Sequence, residues 1–217
     1  MAGYHRIRPY RGMVDVGEQS PKEAGGRIPG HVLVTAARLF SEVGYDETTT
    51  QLIADACGID ASVVRDAYGG KRGVYLAVME QLTRERMEHL APVRAAFTPD
   101  AEGLIRLIDR NLDYALEHEE LPSIWVHRWM ADATDFPDLE ERYGLPPFRM
   151  INDMVAQAVD GEVDPELFTW HVAWLISGFA RGGFVGADGV RRHADDPDAL
   201  RRFRLFMHQM ARRAAAR

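Results

Sequence analysis

Residues 44–74 read GYDETTTQLIADACGIDASVVRDAYGGKRGV, and this stretch decides the fold. Its apolar residues fall into two short segments separated by Gly58, where a tight turn is expected. A threonine of the run at 48–50 can cap the first segment as a helix, and Asp60 can cap the second. The pattern predicts a helix-turn-helix whose second helix is only about two turns long.

Apolar residues at helical spacing continue on both sides of this stretch, and no segment shows sustained period-2 alternation. The sequence therefore predicts an all-α fold of about nine helices. We divide it into a flexible N-terminal extension at 1–27, a three-helix helix-turn-helix domain at 28–75 and a second helical domain at 76–217. Within the second domain we expect an interruption at 144–147 and a frayed helix end at 182–186, because both segments contain glycine.

The charge of the chain is unevenly distributed. The net charge is −7, but residues 1–75 hold nine Lys/Arg against nine Asp/Glu, so the acidity lies in the second domain. A neutral first domain permits binding to nucleic acid, although it is less basic than the usual footprint of such domains. No apolar run approaches the roughly 20 residues that span a bilayer, and the N-terminus lacks a signal-peptide core. We expect a cytoplasmic protein without a membrane partner.

Catalytic and metal-binding patterns are missing from the sequence. The single cysteine, Cys57, excludes a Cys-based zinc site and an intramolecular disulfide. The eight histidines are scattered and none forms a close ligand pair such as HExxH. No nucleophile–base pair or phosphate-binding loop is present, so we expect neither an enzyme nor a metal or cofactor site.

The helix-turn-helix stretch resembles the DNA-binding domain of the TetR family of transcriptional regulators. The resemblance covers residues 28–78 and rests on a set of fixed offsets: Phe40, Gly44-Tyr45, Thr48-Thr49, Ile53-Ala54, Gly58-Ile59, Val64, Tyr68 and Lys71. It implies a regulator, by family default a repressor, that binds a palindromic double-stranded DNA operator as a homodimer. It also implies that residues 76–217 bind a small-molecule effector and dimerise.

The resemblance implies a set of DNA contacts. Thr49 and Lys71 would contact phosphates, and the second helix of the motif would present side chains to base edges or to the DNA backbone. The complete set is Thr49, Ser62, Val63, Arg65, Asp66, Tyr68 and Lys71.

The motif departs from the family pattern at several positions. Arg65 replaces the usual tyrosine, and Asp60 and Asp66 bring negative charge near the DNA backbone. An arginine can still bind a phosphate or a guanine. The alternative is a TetR-fold protein that binds a ligand or partner but has weakened or lost operator binding.

The N-terminal extension allows two interpretations. Arg6, Arg8 and Arg11 are spaced as in a flexible basic arm that enters a minor groove. The simpler interpretation, which we favour, is a tail whose arginines have no specific contact.

Aromatic residues of the second domain suggest where an effector and a partner subunit would bind. Trp125 and Trp129 lie four residues apart on one helical face, as core aromatics or as the wall of an effector pocket. The predicted pocket comprises Trp125, Trp129, Phe148, Ile151, Met154 and His171. By resemblance, the last two helices form the dimer interface, for which the candidates are Trp170, Trp174, Gly178, Phe203, Phe206 and Met210. The alternative is that these residues belong to the core of a single chain.

Overall fold

The computed structural model describes residues 30–215, and within this range the chain is almost entirely helical. The predicted all-α fold of about nine helices is confirmed. In chain order the elements are α1 (Val32–Glu47), α2 (Thr50–Cys57), α3 (Ala61–Tyr68), α4 (Lys71–Ala95), α5 (Ala101–Glu117), α6 (Glu120–Trp129), a π-helix (Glu140–Gly144), α7 (Leu145–Ala158), α8 (Pro165–Gly182), β1 (Phe184–Val185), β2 (Arg191–Arg192) and α9 (Pro197–Ala214). The extension at 1–27, with Arg6, Arg8 and Arg11, lies outside the described residues.

Local signals define both helices of the helix-turn-helix. The Thr49 hydroxyl accepts a hydrogen bond from the Leu52 amide at 3.0 Å and caps α2. The Asp60 carboxylate accepts one from the Ser62 amide at 2.8 Å and caps α3. Each helix ends at a glycine with positive φ, a conformation that residues with a Cβ adopt only at a cost.

The first hydrophobic core joins α1–α4 to part of the second predicted domain. Four aromatic rings form its centre. The centroid of the Tyr75 ring lies 4.9 Å from that of Phe40, 4.7 Å from that of Tyr45 and 5.3 Å from that of Phe136. Helix α6 and the segment 133–143 pack into the same core. The helix-turn-helix therefore shares its apolar interior with residues beyond position 75, although its own helices lie where the sequence predicts them.

The second core is formed by α5, α7, α8 and α9. Leu104, Leu107 and Leu112 of α5 are fully buried between these helices. The Phe179 and Phe203 rings stack with centroids 4.1 Å apart and attach α8 to α9. Helix α4 runs from the first core towards the second, since its Val93 packs against the second core while its first turn contacts α1.

The structure corrects two details of the predicted second domain. Residues 144–147 do not interrupt the helical run, because the π-helix passes directly into α7 and the two prolines occupy the first turn of that helix. Residues 182–186 are not a frayed helix end. After α8, β1 pairs antiparallel with β2, and the Asp188–Arg192 ion pair at 2.6 Å closes the hairpin.

None of the helices within residues 30–215 is long and apolar enough to cross a membrane. In the same range, no group of three or more His, Cys, Asp or Glu side chains is arranged to hold a metal ion.

Candidate DNA-binding surface and effector cavity

Helix α3 turns one face to the core and the other to solvent. Ala61 and Val64 are buried against the first core. Of the residues predicted to contact DNA on this helix, Val63, Arg65 and Asp66 are exposed and Ser62 is partly exposed, whereas Tyr68 packs its ring against the core. The structure thus brings four of the five predicted residues of this helix to one accessible surface, with Tyr68 at its buried edge.

Burial raises the pKa of Tyr68, so its hydroxyl remains protonated and neutral. Asp60 is occupied as the cap of α3, and the hydrogen bonds from Ser62 lower the pKa of its carboxyl. Its negative charge therefore lies at the positive end of the helix dipole, where it stabilises the helix.

The predicted phosphate ligands lie at the two ends of the motif. Thr49 is exposed at the start of α2, where its hydroxyl acts as the helix cap. The Lys71 ammonium donates to the backbone carbonyls of Tyr45 at 2.8 Å and Asp46 at 3.3 Å, and it lies 4.0 Å from the centroid of the Tyr45 ring. In this structure Lys71 therefore holds the end of α1, and a phosphate contact would have to share its ammonium.

A cavity of about 210 Å³ lies between α4, α5, α6, α7 and α8. Of the residues predicted to form an effector pocket, four line it: Trp125, Trp129, Phe148 and Ile151. The wall is apolar for the most part, as in small-molecule sites generally. The volume lies below the roughly 300–1,000 Å³ of drug-sized sites, which favours a small occupant.

Aromatic rings concentrate at one end of the cavity. Trp170 lies at the centre of this cluster, with its ring centroid 5.5 Å from Trp129, 5.1 Å from Phe148 and 5.7 Å from Trp174. Trp170, which we predicted at a dimer interface, lines the cavity. Helical geometry explains this position, because Trp170 shares the inner face of α8 with Ala173 and Ser177.

Two residues predicted for the pocket lie elsewhere. Met154 is buried in the second core and does not line the cavity, so it has the gap-filling role common for methionine. His171 is exposed, because it lies on the outer face of α8, one residue beyond the cavity-lining Trp170.

The sequence interpretation missed the polar end of the cavity, which Arg86, Asn111 and Tyr114 form together. Arg86 is buried on α4, where its guanidinium donates to the Asn111 side-chain oxygen and lies 4.5 Å from the centroid of the Tyr114 ring. A signal was present in the sequence. Arg86 lies four residues after Leu82 and four before Leu90, so it occupies the apolar stripe of its helix.

The remaining dimer candidates divide into two groups. Trp174, Gly178 and Phe206 are exposed, and Trp174 and Phe206 keep 55% and 49% of their surface accessible. Phe203 and Met210 pack against the second core within the same chain. The outer faces of α8 and α9 thus carry large apolar side chains that no element within residues 30–215 covers.

The loop after α6 binds the end of α1. The Asp132 carboxylate accepts hydrogen bonds from the backbone amides of Tyr45 at 2.7 Å and Asp46 at 2.8 Å. Arg128 fixes the conformation of this loop, because it donates to the backbone carbonyls of Ala133 and Phe136 and pairs through two nitrogens with Glu140.

A second contact joins α1 to α8. Arg181 donates to the Ser41 carbonyl at 3.0 Å, and the His127 ring of α6 lies 3.1 Å from the same oxygen. Helix α6 therefore contacts the cavity through Trp125 and Trp129 and the DNA-binding domain through His127.

Comparison with known proteins agrees with this architecture. The family model described as bacterial regulatory proteins of the tetR family matches residues 32–78, which include the whole helix-turn-helix. Residues 32–78 therefore contain a DNA-binding domain of the TetR type. The chain is a transcriptional regulator with a TetR-type helix-turn-helix domain, and the proteins that it resembles are regulators rather than enzymes.

Similarity to individual proteins extends beyond the matched segment. The chain is 27% identical over 171 residues to the HTH-type transcriptional regulator BetI of Stenotrophomonas maltophilia (strain R551-3), covering 76% of this chain and 87% of that protein. The structure is similar to the ketosteroid transcriptional regulator KstR2 of Mycobacterium tuberculosis, with a TM-score of 0.63 and 16% identity over 90% of this chain and all of that one.

A third similar structure is AibR in complex with isovaleryl coenzyme A and operator DNA, with a TM-score of 0.63 and 18% identity over 82% of this chain and 95% of that one. At these identities the two structural likenesses establish the fold of this chain.

Proposed function

We propose that this regulator is a repressor that binds a palindromic operator as a homodimer and is released by a small apolar or aromatic effector. The accessible surface of α3 is the observation that carries the proposal. Buried Ala61 and Val64 fix the helix, while Ser62, Arg65 and Asp66 project polar groups towards the position of a major groove.

Operator binding can be measured by fluorescence polarisation on DNA fragments flanking the gene, over a series of salt concentrations. We expect affinity to fall with rising salt, because phosphate contacts release counterions. Replacement of exposed Arg65 by alanine should weaken binding by about 1–3 kcal/mol if it reads a base. Arg38→Ala, which removes an exposed arginine from α1, is the matched control and should leave affinity nearly unchanged.

Absent or salt-insensitive binding to every fragment would contradict operator recognition. It would favour the alternative, a TetR-fold protein that retains its ligand site after loss of DNA binding. Arg65 in place of the usual tyrosine and the exposed Asp66 are the features that favour this alternative, whereas Asp60 is occupied as the cap of α3.

The homodimer is supported by the exposed outer faces of α8 and α9. Leu167, Trp174, Leu205 and Phe206 are all about half exposed or more, which is unusual for such large apolar side chains. A dimer would cover them and would set the two recognition helices about one turn of DNA apart.

Light scattering should report a dimer for the wild type at micromolar concentration. The double variant Trp174→Glu/Phe206→Glu should be monomeric, because it places charges in the centre of the proposed interface. Val34→Glu, at an exposed apolar position of α1, is the control and should remain dimeric. A monomeric wild type would contradict the proposal.

We infer that the effector acts through α4 and α6, which both line the cavity and both contact the DNA-binding domain. Helix α4 carries Arg86, which lines the cavity, and Lys71, which binds the end of α1. Helix α6 carries Trp125, which lines the cavity, and leads into the loop whose Asp132 binds the Tyr45 amide. A ligand that moves these helices would change the spacing of the recognition helices.

Such coupling requires different effector affinities in the two states. Titration of an effector into free and operator-bound protein measures this difference directly. Equal affinities would contradict release by the effector.

A further inference from the structure

A cationic side chain is buried in the wall of the otherwise apolar cavity. Arg86 is only 9% exposed and lines the cavity from α4. One terminal nitrogen of its guanidinium donates to the side-chain oxygen of Asn111, and the other is buried and finds no hydrogen-bond partner in the part of the chain that the structure describes. Within residues 30–215, no carboxylate lies within 4.0 Å of the Arg86 guanidinium.

This arrangement is costly for the protein alone. A buried charge without a counter-ion destabilises the folded state, and a buried N–H without an acceptor adds to the cost. Burial lowers the pKa of Arg86 to about 10, so the guanidinium remains protonated at neutral pH. The cavity therefore keeps a positive charge whose partner is not supplied by the neighbouring helices.

The acidic side chain of the cavity wall, Glu140, is already engaged. Its two carboxylate oxygens accept hydrogen bonds from Arg128 at 2.6 Å and 3.0 Å, and this pairing lowers the pKa of Glu140. Asn111 is fixed by its own bond to the Leu107 carbonyl at 2.7 Å, so its side-chain oxygen faces Arg86. At the polar end of the cavity, the guanidinium of Arg86 thus has no carboxylate partner among the described residues.

We propose that the effector is a small carboxylic acid whose carboxylate pairs with Arg86 and whose apolar or aromatic body lies between Trp125, Phe148 and Trp170. This inference rests on the proposed effector-binding function of the cavity. Carboxylates are the anions that a planar guanidinium binds most specifically, and the aromatic end supplies stacking surface for the body. The cavity volume of about 210 Å³ limits that body to roughly the size of a phenyl ring with a short chain.

The aromatic end alone would also suit a quaternary ammonium, which binds to the faces of tryptophan rings. The buried guanidinium of Arg86 opposes this choice, since two cations would share a low-dielectric cavity. The acid and the cation are therefore opposing outcomes of one experiment.

The first test uses the wild-type protein and pairs of probes that differ in charge. Phenylacetate, benzoate and 4-methylvalerate are each compared with the corresponding amide, and choline serves as the cation. Calorimetric titration should give at least one acid an affinity about tenfold or more above that of its amide, since the amide leaves the buried charge unpaired. If no acid binds more tightly than its amide, or if choline binds more tightly than the acids, the proposal is overturned.

The second test assigns the charge to its residue. Arg86→Met should lose the preference for the acid and bind acid and amide alike, while Arg84→Met, at an exposed position of the same helix, should retain the wild-type preference. An unchanged preference in Arg86→Met would overturn the assignment. If that variant does not fold, Arg86→Lys takes its place and should show a weaker preference than the wild type.

Operator binding separates this inference from the proposed function. If an amide or choline releases the protein from DNA and the acids do not, effector-controlled repression stands and the carboxylate site is wrong. If the acids bind through Arg86 without lowering operator affinity, the carboxylate site stands and release by the effector is wrong.

Discussion

The helix-turn-helix and the segment from α6 to α7 are both short helical runs, but they are delimited in different ways. Thr49 and Asp60 cap α2 and α3, and Gly58 and Gly69 end them. Helix α6, the π-helix and α7 begin without any side-chain cap. Helix boundaries are therefore encoded locally for α2 and α3 and by tertiary contacts, such as those of Arg128, in the segment from α6 to α7.

The difference matters for function. A recognition helix must keep one register relative to DNA, and local caps fix that register without help from the rest of the molecule. The elements around a cavity must respond to its occupant, and boundaries set by side-chain contacts can be shifted by a ligand.

The largest expected effect comes from a glycine at the junction of α3 and α4. A Cβ on Gly73 would lie 1.6 Å from the Tyr68 carbonyl oxygen, so Gly73→Ala must force the two helices apart. We expect a loss of about 3 kcal/mol or more in the free energy of unfolding, measured by urea denaturation. Gly69→Ala is the control. Its Cβ would meet no atom within 4 Å, so only the positive φ of 74° should cost about 1–2 kcal/mol. Equal losses would contradict a close approach at Gly73.

The next effect tests the contact between the two halves. Asp132→Ala leaves the amides of Tyr45 and Asp46 without their acceptor and should cost about 2 kcal/mol in urea denaturation, as expected for hydrogen bonds to a charged group. Asp135→Ala is the matched control. It removes an exposed ion pair with Arg72, worth at most about 1 kcal/mol, and a side-chain contact with Tyr45, but it leaves the amides of Tyr45 and Asp46 with their acceptor. A larger loss for Asp135→Ala would show that the halves are joined elsewhere.

A smaller effect should separate locally capped helices from uncapped ones. Asp60→Ala should destabilise the protein by about 1 kcal/mol, because it removes the cap of α3. Glu119→Ala, at the equivalent position of α6, should change the midpoint of thermal unfolding very little, since its side chain makes no capping bond. Similar losses at both positions would remove the contrast between the two regions.

The smallest effect concerns acid stability of the loop after α6. Pairing with Arg128 lowers the pKa of Glu140, so the pair contributes stability above the ordinary glutamate pKa of 4.5 and loses it as the pH falls through the lowered value. Because Glu140 is about half exposed, we expect no more than about 1 kcal/mol. Glu140→Gln should weaken the pH dependence of the unfolding midpoint below pH 4.5. Glu141→Gln, at the exposed neighbouring position, should leave that dependence unchanged.

The sequence was sufficient for the all-α fold and for the helix-turn-helix itself, since α2 and α3 have boundary signals within a few residues. The threonine run, Asp60 and the two turn glycines predict α2 and α3 to within a residue or two. Local signals gave the wrong prediction at 144–147 and 182–186. The structure has a π-helix leading into α7 at the first segment and one strand of a hairpin at the second.

The cavity was only partly predictable from sequence. Aromatic residues on one helical face indicated Trp125 and Trp129. Helical spacing alone did not tell the inner face of α8 from its outer face, so the predicted pocket contained the exposed His171 and omitted the cavity-lining Trp170. Arg86 was missed because its position in an apolar stripe predicts burial but does not show whether the surrounding groups pair with its charge.

The bonds between the two halves have a consequence for how such regulators diversify. Asp132 holds the backbone amides of Tyr45 and Asp46, and Arg181 holds the backbone carbonyl of Ser41. These bonds do not depend on which side chains α1 carries there or on the sequence of the recognition helix. Mutations in α3 can therefore change the DNA sequence that the proposed recognition helix prefers without breaking the attachment to the effector-binding half. Operator preference and effector binding can then evolve separately.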